Sequence, residues 1–252
     1  MLPIKKNQLP ILNDFFTAVS FLTIIPVSVE GAEKKNALAS AMIFFPLVGF
    51  GIAGVSFGLV HFWEPFLSER ISNLLLVLLP ILFSGGLHID GVADFFDGFF
   101  QGKNREDILR VMKDPHIGVW GSLSIVFFVL IKWEPLMIVP FKGKIFLIAM
   151  TLSRWAQVFL SYSHSYAGKE TGLGESVAQK IGRKEFAGAT VFTFLAALLL
   201  GWKGLCVFLG IFLFVLGMGA FYKKKINGIT GDLIGATAEM SELAAYVLFI
   251  TI

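Results

Sequence analysis

From Asn36 to Trp63 the chain runs 28 residues without an Asp, Glu, Lys or Arg. A helix of that length is about 42 Å long, more than the roughly 30 Å hydrocarbon core of a bilayer. Comparable runs occur at Ile71–Ile89, Pro115–Ile131, Phe186–Trp202 and Gly204–Tyr222. Two more, Ile145–Ser165 and Leu233–Ile252, are interrupted only by Arg154 and by Glu239 and Glu242. In hydrocarbon only a helix or a closed barrel satisfies its own backbone, and runs this long are helical. With a mean hydropathy of +0.76, they predict an all-α, polytopic membrane bundle forming a single catalytic domain over residues 1–252. About seven transmembrane helices are expected, near 37–62, 71–89, 117–139, 144–164, 186–202, 204–222 and 232–252. The stretch Phe15–Val27 is too short to span and ends at Pro26, so a re-entrant or interfacial segment is expected there.

The lone cysteine, Cys206, can form no internal disulfide, and a net charge of +3 on so apolar a chain is no argument for a nucleic-acid partner. Lys5 and Lys6 precede an apolar stretch broken by Pro10 and Asp14, so no removable signal peptide is expected. The distribution of basic residues is more informative. With seven spans, one side collects thirteen: Lys34, Lys35, Lys103, Arg105, Arg110, Lys113, Lys169, Lys180, Arg183, Lys184, Lys223, Lys224 and Lys225. The other collects four: Arg70, Lys142, Lys144 and Lys203. The bias places the first side in the cytoplasm, giving a multi-pass protein of the cell inner (cytoplasmic) membrane.

Against this background "GGLHIDGVADFFDG" stands out. Asp90, Asp94 and Asp97 are spaced i, i+4, i+7 and share one helical face within roughly 60°. Three carboxylates there repel one another unless a cation or basic groups hold them together. Hard oxygen ligands suit Mg²⁺, which typically bridges carboxylates to substrate phosphates, so metal-assisted phosphoryl transfer is the chemistry expected. The structural alternative is that the acids merely solvate a helix end. Gly85 and Gly86 just before them predict a bend or unwound turn. Asn104 and Asp107 resemble an N-cap leading into a short basic helix, Arg105–Asp114, so that Arg110, Lys113 and Asp114 flank the same pocket.

A second acidic set, Asp232, Glu239 and Glu242 in "TGDLIGATAEMSEL", falls within about 80° of one face. Arg154, inside a span, needs a carboxylate or phosphate partner, and Glu239 or Glu242 is the expected one. Lys132, followed by Trp133, Glu134 and Pro135, is expected to end a span near the outer interface. His88 is a candidate general base or a hydrogen-bonded structural group. "TGLGE" at 171–175 and "TGD" at 230–232 could present backbone amides to phosphate, or be simple turns.

Taken in order, "FLTIIPV", "FPLVG", "GGLHIDGVADFFDG", "RVMKDPHIGVWG", the "SR" of the fourth span and "TGDLIGATAEMSEL" resemble cobalamin synthase, adenosylcobinamide-GDP ribazoletransferase. The resemblance implies a magnesium-dependent membrane enzyme joining adenosylcobinamide-GDP to α-ribazole, or its 5′-phosphate, with release of GMP. Its implied partners are these small molecules and the lipid bilayer, and a homo-oligomer is compatible with the chain. Asp90, Asp94 and Asp97 would hold the metal, and Asp97, Asp94 or His88 would take the proton. Lys113, Arg110, Arg154, Asp114, Asp232, Glu239 and Glu242 would bind substrate and phosphate. Two positions depart from the family pattern, His116 in place of arginine and the bulky Phe95–Phe96. The rival readings are a CDP-alcohol phosphotransferase-type enzyme and a cation-coupled transporter, but neither the long four-Asp signature of the first nor the two related halves of the second is present.

Overall fold

The computed structural model describes residues 2–4, 10–29, 37–140, 142–168, 178 and 180–252. Lys5, Lys6, Lys34, Lys35, Lys169 and the "TGLGE" loop lie outside them. A short parallel pairing of β1 (Leu2–Ile4) with β2 (Val27–Val29) brackets helix α1 (Pro10–Leu22). The rest is helical: α2 (Ala37–Ala41), joined through a 3₁₀ turn to α3 (Phe45–Trp63), then α4 (Glu69–Phe83), α5 (Leu87–Gln101), α6 (Arg105–Val111), α7 (Val119–Ile138), α8 (Lys142–Ser163), α9 (Arg183–Leu198), α10 (Gly201–Ile226) and α11 (Gly231–Thr251). The fold is the all-α membrane bundle expected from the apolar runs.

The span count needs correction. Five helical stretches among the described residues are long and apolar enough to cross a bilayer, and the bent pair α4–α5 brings the number up to six. Helix α9, expected to be a full span, has 16 residues. At 1.5 Å per residue it is about 24 Å long, short of the hydrocarbon thickness.

The expected break at Gly85–Gly86 is present, and its chemistry is explicit. Both glycines have positive φ, 61° and 76°. Gly86 N–H donates to Ile81 O at 2.9 Å and Gly85 N–H to Leu82 O at 3.0 Å, which is the paired pattern of a Schellman cap. The chain turns by 91° between α4 and α5. The acidic motif therefore does not continue the α4 span to its far boundary; it lies on a separate helix set across the bundle.

Helix α8 is the centre of the bundle. It packs against α3, α9, α10 and α11, and α11 is wedged between α5 and α8. Its interior side chains include Thr151, Ser153, Arg154, Gln157 and Ser161, all buried. The outward faces of α7 and α10 carry Val126, Phe127 and Leu130, and Leu209, Leu213 and Leu216. Apolar outside and polar inside is the arrangement a lipid solvent favours. Close approach of α5 to α11 depends on glycine: a Cβ at Gly91 would lie 2.4 Å from the Asp232 carbonyl oxygen, and one at Gly235 would lie 3.3 Å from His88 Cα.

Basic residues stay segregated by end. Arg105 donates from Nε to Ile226 O and from Nη2 to Ala167 O, each at 2.8 Å, tying α6 to the end of α10 and the strand-like segment after α8. At the opposite end Lys142 pairs with Glu69 at 3.1 Å, and Trp133 Nε1 donates to Arg70 O.

Candidate active site

The expected carboxylate triad is divided by its neighbours. Asp97 is 6% exposed and points at the start of α7. It accepts Gly118 N–H at 2.7 Å, Gly121 N–H at 2.9 Å and the Gln101 side-chain amide at 2.7 Å. The first N–H groups of a helix have no partner within it and carry partial positive charge, so a carboxylate there is both cap and counter-charge. Glycine is needed opposite it, because a Cβ at Gly118 or Gly121 would come within 2.3 Å of a carboxylate oxygen. Asp97, expected as a metal ligand or proton acceptor, has both oxygens hydrogen-bonded, to the start of α7 and to Gln101. Seven residues of helix advance about 10 Å, so one face meets different neighbours at its two ends.

Asp90 and Asp94 meet a different carboxylate. Asp94 lies within electrostatic reach of Asp232 as well as of Asp90 and Asp97, and Asp232 within reach of Asp90 and Lys113. Asp232 stands in the first turn of α11, which Thr230 caps by accepting Leu233 N–H at 3.3 Å. Thus the Gly91–Asp232 crossing joins the two acidic motifs, through Asp232 rather than through Glu239 and Glu242.

Asp90 and Asp232 line a cavity of about 650 Å³. Arg105, Arg110 and Lys113 contribute its basic wall and His88 and Gln157 its buried polar wall. Phe21, Met42, Phe45, Leu87 and Leu109 form its apolar side. Arg110 also pairs with Asp107 at 3.2 Å. Asp114 is exposed, accepts His116 N–H at 3.0 Å and faces the His116 ring at 2.8 Å. That pair, including Asp114, expected as a substrate contact, lies outside the cavity lining.

Behind the cavity lies a second, fully buried charge cluster. Lys132 Nζ hydrogen-bonds Glu242 at 2.8 Å and also bonds Glu239, and Tyr246 donates its hydroxyl to Glu242 at 2.9 Å. Lys132 is 3% exposed, not at an interface as expected. Arg154, expected to pair directly with these glutamates, acts on them at longer range. It donates from Nη1 to Ser153 Oγ at 3.0 Å, and its Nε has no partner among the described residues. Two buried cations and two buried anions balance to zero, the condition under which such charges are tolerated. Arg154, Glu239 and Glu242 are therefore not in the cavity lining. Sequence reasoning undervalued Lys132 because Glu134 and Pro135 imitate a helix end; Pro135 instead lies inside α7. The signal available was a lone lysine late in an otherwise uncharged run.

Among the described residues no three His, Cys, Asp or Glu side chains are grouped so as to hold a metal ion by themselves. Mg²⁺ usually takes one or two protein carboxylates and completes its shell with water and substrate phosphates. Asp90 and Asp232, both facing the cavity beside basic residues, fit that limited donor set.

A helical bundle with lipid-compatible flanks, and a charged, apolar-walled cavity at its basic end, defines a polytopic membrane protein with a candidate ligand cavity. The chain belongs to the cobalamin-5-phosphate synthase family, whose family model matches residues 14–250. It is 32% identical over 248 residues to the adenosylcobinamide-GDP ribazoletransferase of Clostridium kluyveri, covering 96% of this chain and 98% of the relative. The enzyme of the same name from Chlorobaculum parvum is 34% identical over 246 residues (93% and 94%), and that from Acetivibrio thermocellus 31% over 236 residues (92% and 94%). No solved structure matches the chain. The protein is accordingly an enzyme of cobalamin biosynthesis.

Proposed function

We propose that the protein is a magnesium-dependent transferase joining adenosylcobinamide-GDP to α-ribazole, or its 5′-phosphate, with release of GMP. The observation that carries this reading is the single cavity where Asp90 and Asp232, the basic residues Arg110 and Lys113, and an apolar wall meet. A diphosphate needs the first two sets, and a macrocycle needs the third. The segregation of the basic residues supports a cytoplasmic mouth in the inner membrane.

In this reading Asp90 and Asp232 would hold Mg²⁺, with Asp94 close to both carboxylates. The ion would neutralise phosphate oxygens and favour departure of the leaving group. Arg110 and Lys113 pair with the remaining phosphate oxygens. The ribose hydroxyl oxygen forms a new bond to the phosphorus nearer cobinamide, the bond from that phosphorus to the bridging oxygen breaks, and GMP leaves with the bridging oxygen. His88, buried in the cavity wall with both ring nitrogens unpaired, takes the hydroxyl proton. Arg154, Lys132, Glu239 and Glu242 hold α7, α8 and α11 in register behind the site.

The test is direct. Purified protein in lipid is given adenosylcobinamide-GDP and α-ribazole, with and without Mg²⁺, and GMP and the joined product are measured. GMP release that needs both substrates and the metal is expected. Absence of joined product from folded protein, or unchanged turnover after complete chelation, overturns the reading. A CDP-alcohol substrate turned over in place of the corrinoid, or ion flux without chemistry, would point to the rival classes.

A further inference from the structure

We infer that Arg105 is a positioning residue that fixes the acidic wall of the cavity against its basic wall; the inference rests on the transferase reading above. The basic wall is carried by α6 and the turn that ends it, which hold Arg110 and Lys113. With 7 residues α6 makes about two turns, too few to be stable alone, so contacts with the rest of the fold decide where it sits. Against α5 the seat is steric. A Cβ at Gly98 would lie 2.4 Å from Met112 Cγ, and one at Gly102 would lie 2.6 Å from Ile108 Cγ1. Towards α10 and the segment after α8 the contact is polar and is made by Arg105, whose Nε donates to Ile226 O and whose Nη2 donates to Ala167 O, each at 2.8 Å.

Both carbonyls belong to the strands of chain that lead to Asp232. Ile226 O lies in the last turn of α10, where carbonyls lack donors within the helix and carry partial negative charge, so a guanidinium there is both donor and counter-charge. Ala167 N–H donates to Ile229 O and Ile229 N–H to Ser165 O, each at 2.9 Å, and Asp232 follows three residues after Ile229. Gly228, with φ 152°, lets the two segments close, since a Cβ there would lie 2.5 Å from Ser165 O. The fork of Arg105 therefore grips both sides of this bridge, 62 and 121 residues away in sequence. Its Nη1 faces the exposed Glu106 carboxylate at 3.7 Å. Lys113 and Asp232 act on each other electrostatically across the cavity, and the clasp sets the spacing between them. A diphosphate must meet both walls at once, whereas an uncharged ligand need not. A change of spacing therefore weakens the diphosphate selectively.

Calorimetry on the full-length protein in nanodiscs measures binding of GDP with Mg²⁺ and of α-ribazole, beside melting curves and the KM for adenosylcobinamide-GDP. Arg105→Gln removes the fork, and Gly228→Ala crowds the same bridge without removing a charge. Both are expected to weaken GDP about tenfold and to raise the donor KM by a similar factor, with α-ribazole affinity within about twofold of wild type. Arg105→Lys keeps the charge but not the planar fork; it is expected to fall between wild type and Arg105→Gln, and it carries the test if Arg105→Gln does not fold. Unchanged GDP affinity and donor KM in the folded Arg105 variants, even with a lower melting midpoint, would leave the residue a structural role alone and overturn the inference. So would a parallel loss of α-ribazole affinity. Weakened GDP in Arg105→Gln with wild-type affinity in Gly228→Ala would mean that Arg105 touches the phosphate itself, which also overturns it. Failure of the transferase reading shows separately, as a wild type that binds GDP but releases no GMP from the donor.

Discussion

Lys132 and Glu242 are 110 residues apart in sequence and 2.8 Å apart in space, inside the bundle. The bond joins α7 to α11, and the same ammonium also holds Glu239. Removing the lysine strands two buried carboxylates beside Tyr246. Lys132→Met should therefore cost about 3–5 kcal/mol, read as a lower unfolding midpoint in detergent. Adding Glu239→Gln and Glu242→Gln to the same chain should recover much of the loss. Wild-type stability in Lys132→Met alone would mean that the cluster is not coupled.

The two ends of the acidic face should fail in different ways. Asp90→Ala and Asp232→Ala should lower turnover roughly 10²- to 10³-fold, with unfolding midpoints close to wild type. Steady-state kinetics beside a melting curve decides it; near-normal turnover in both variants would remove them from the site.

Asp97→Ala should instead cost about 2–3 kcal/mol of stability, because Gly118 and Gly121 lose their acceptor at the start of α7. Asp97→Asn keeps an acceptor oxygen and should recover part of that stability. An Asp97→Asn variant that melts like wild type but is inactive would show that the charge serves the chemistry after all.

Gly49 presses on the central helix: a Cβ there would lie 2.6 Å from Arg154 Cγ and 2.8 Å from Met150 O. The backbone oxygen cannot swing away. Gly49→Ala should cost about 1–3 kcal/mol by overpacking and lower activity through displacement of Arg154, whereas Gly51→Ala, with nothing nearby, should be neutral. Equal melting curves for the two variants would contradict the packing.

Orientation is open to a labelling test. Cysteines placed singly at Lys103, Lys180 and Lys224 in a Cys206→Ser background should react with an impermeant maleimide only from the cytoplasmic face, and one at Arg70 only from the other. Labelling of the Lys224 position from outside would invert the topology of α10.

What the sequence determined by itself is what depends on local chemistry. Uncharged runs of bilayer length specify membrane helices, because hydrocarbon leaves the backbone no other partner. Gly85–Gly86 specifies the break, since two left-handed residues in succession suit glycine alone. Asn104 specifies the start of α6 through its own side chain, which accepts Asp107 N–H. What tertiary structure alone decided is which distant groups become neighbours. Helical periodicity put Asp90, Asp94 and Asp97 on one stripe. The 91° turn of α5 and the packing of α7 and α11 then gave one end of that stripe to a helix cap and the other to Asp232. Periodicity likewise gave Arg154 and Lys132 no partners; Lys132 won the glutamates because α7 lies against the face of α11 that carries them. Period and propensity act within a few residues, whereas charge pairing inside a bundle depends on contacts between helices that only the whole fold brings together.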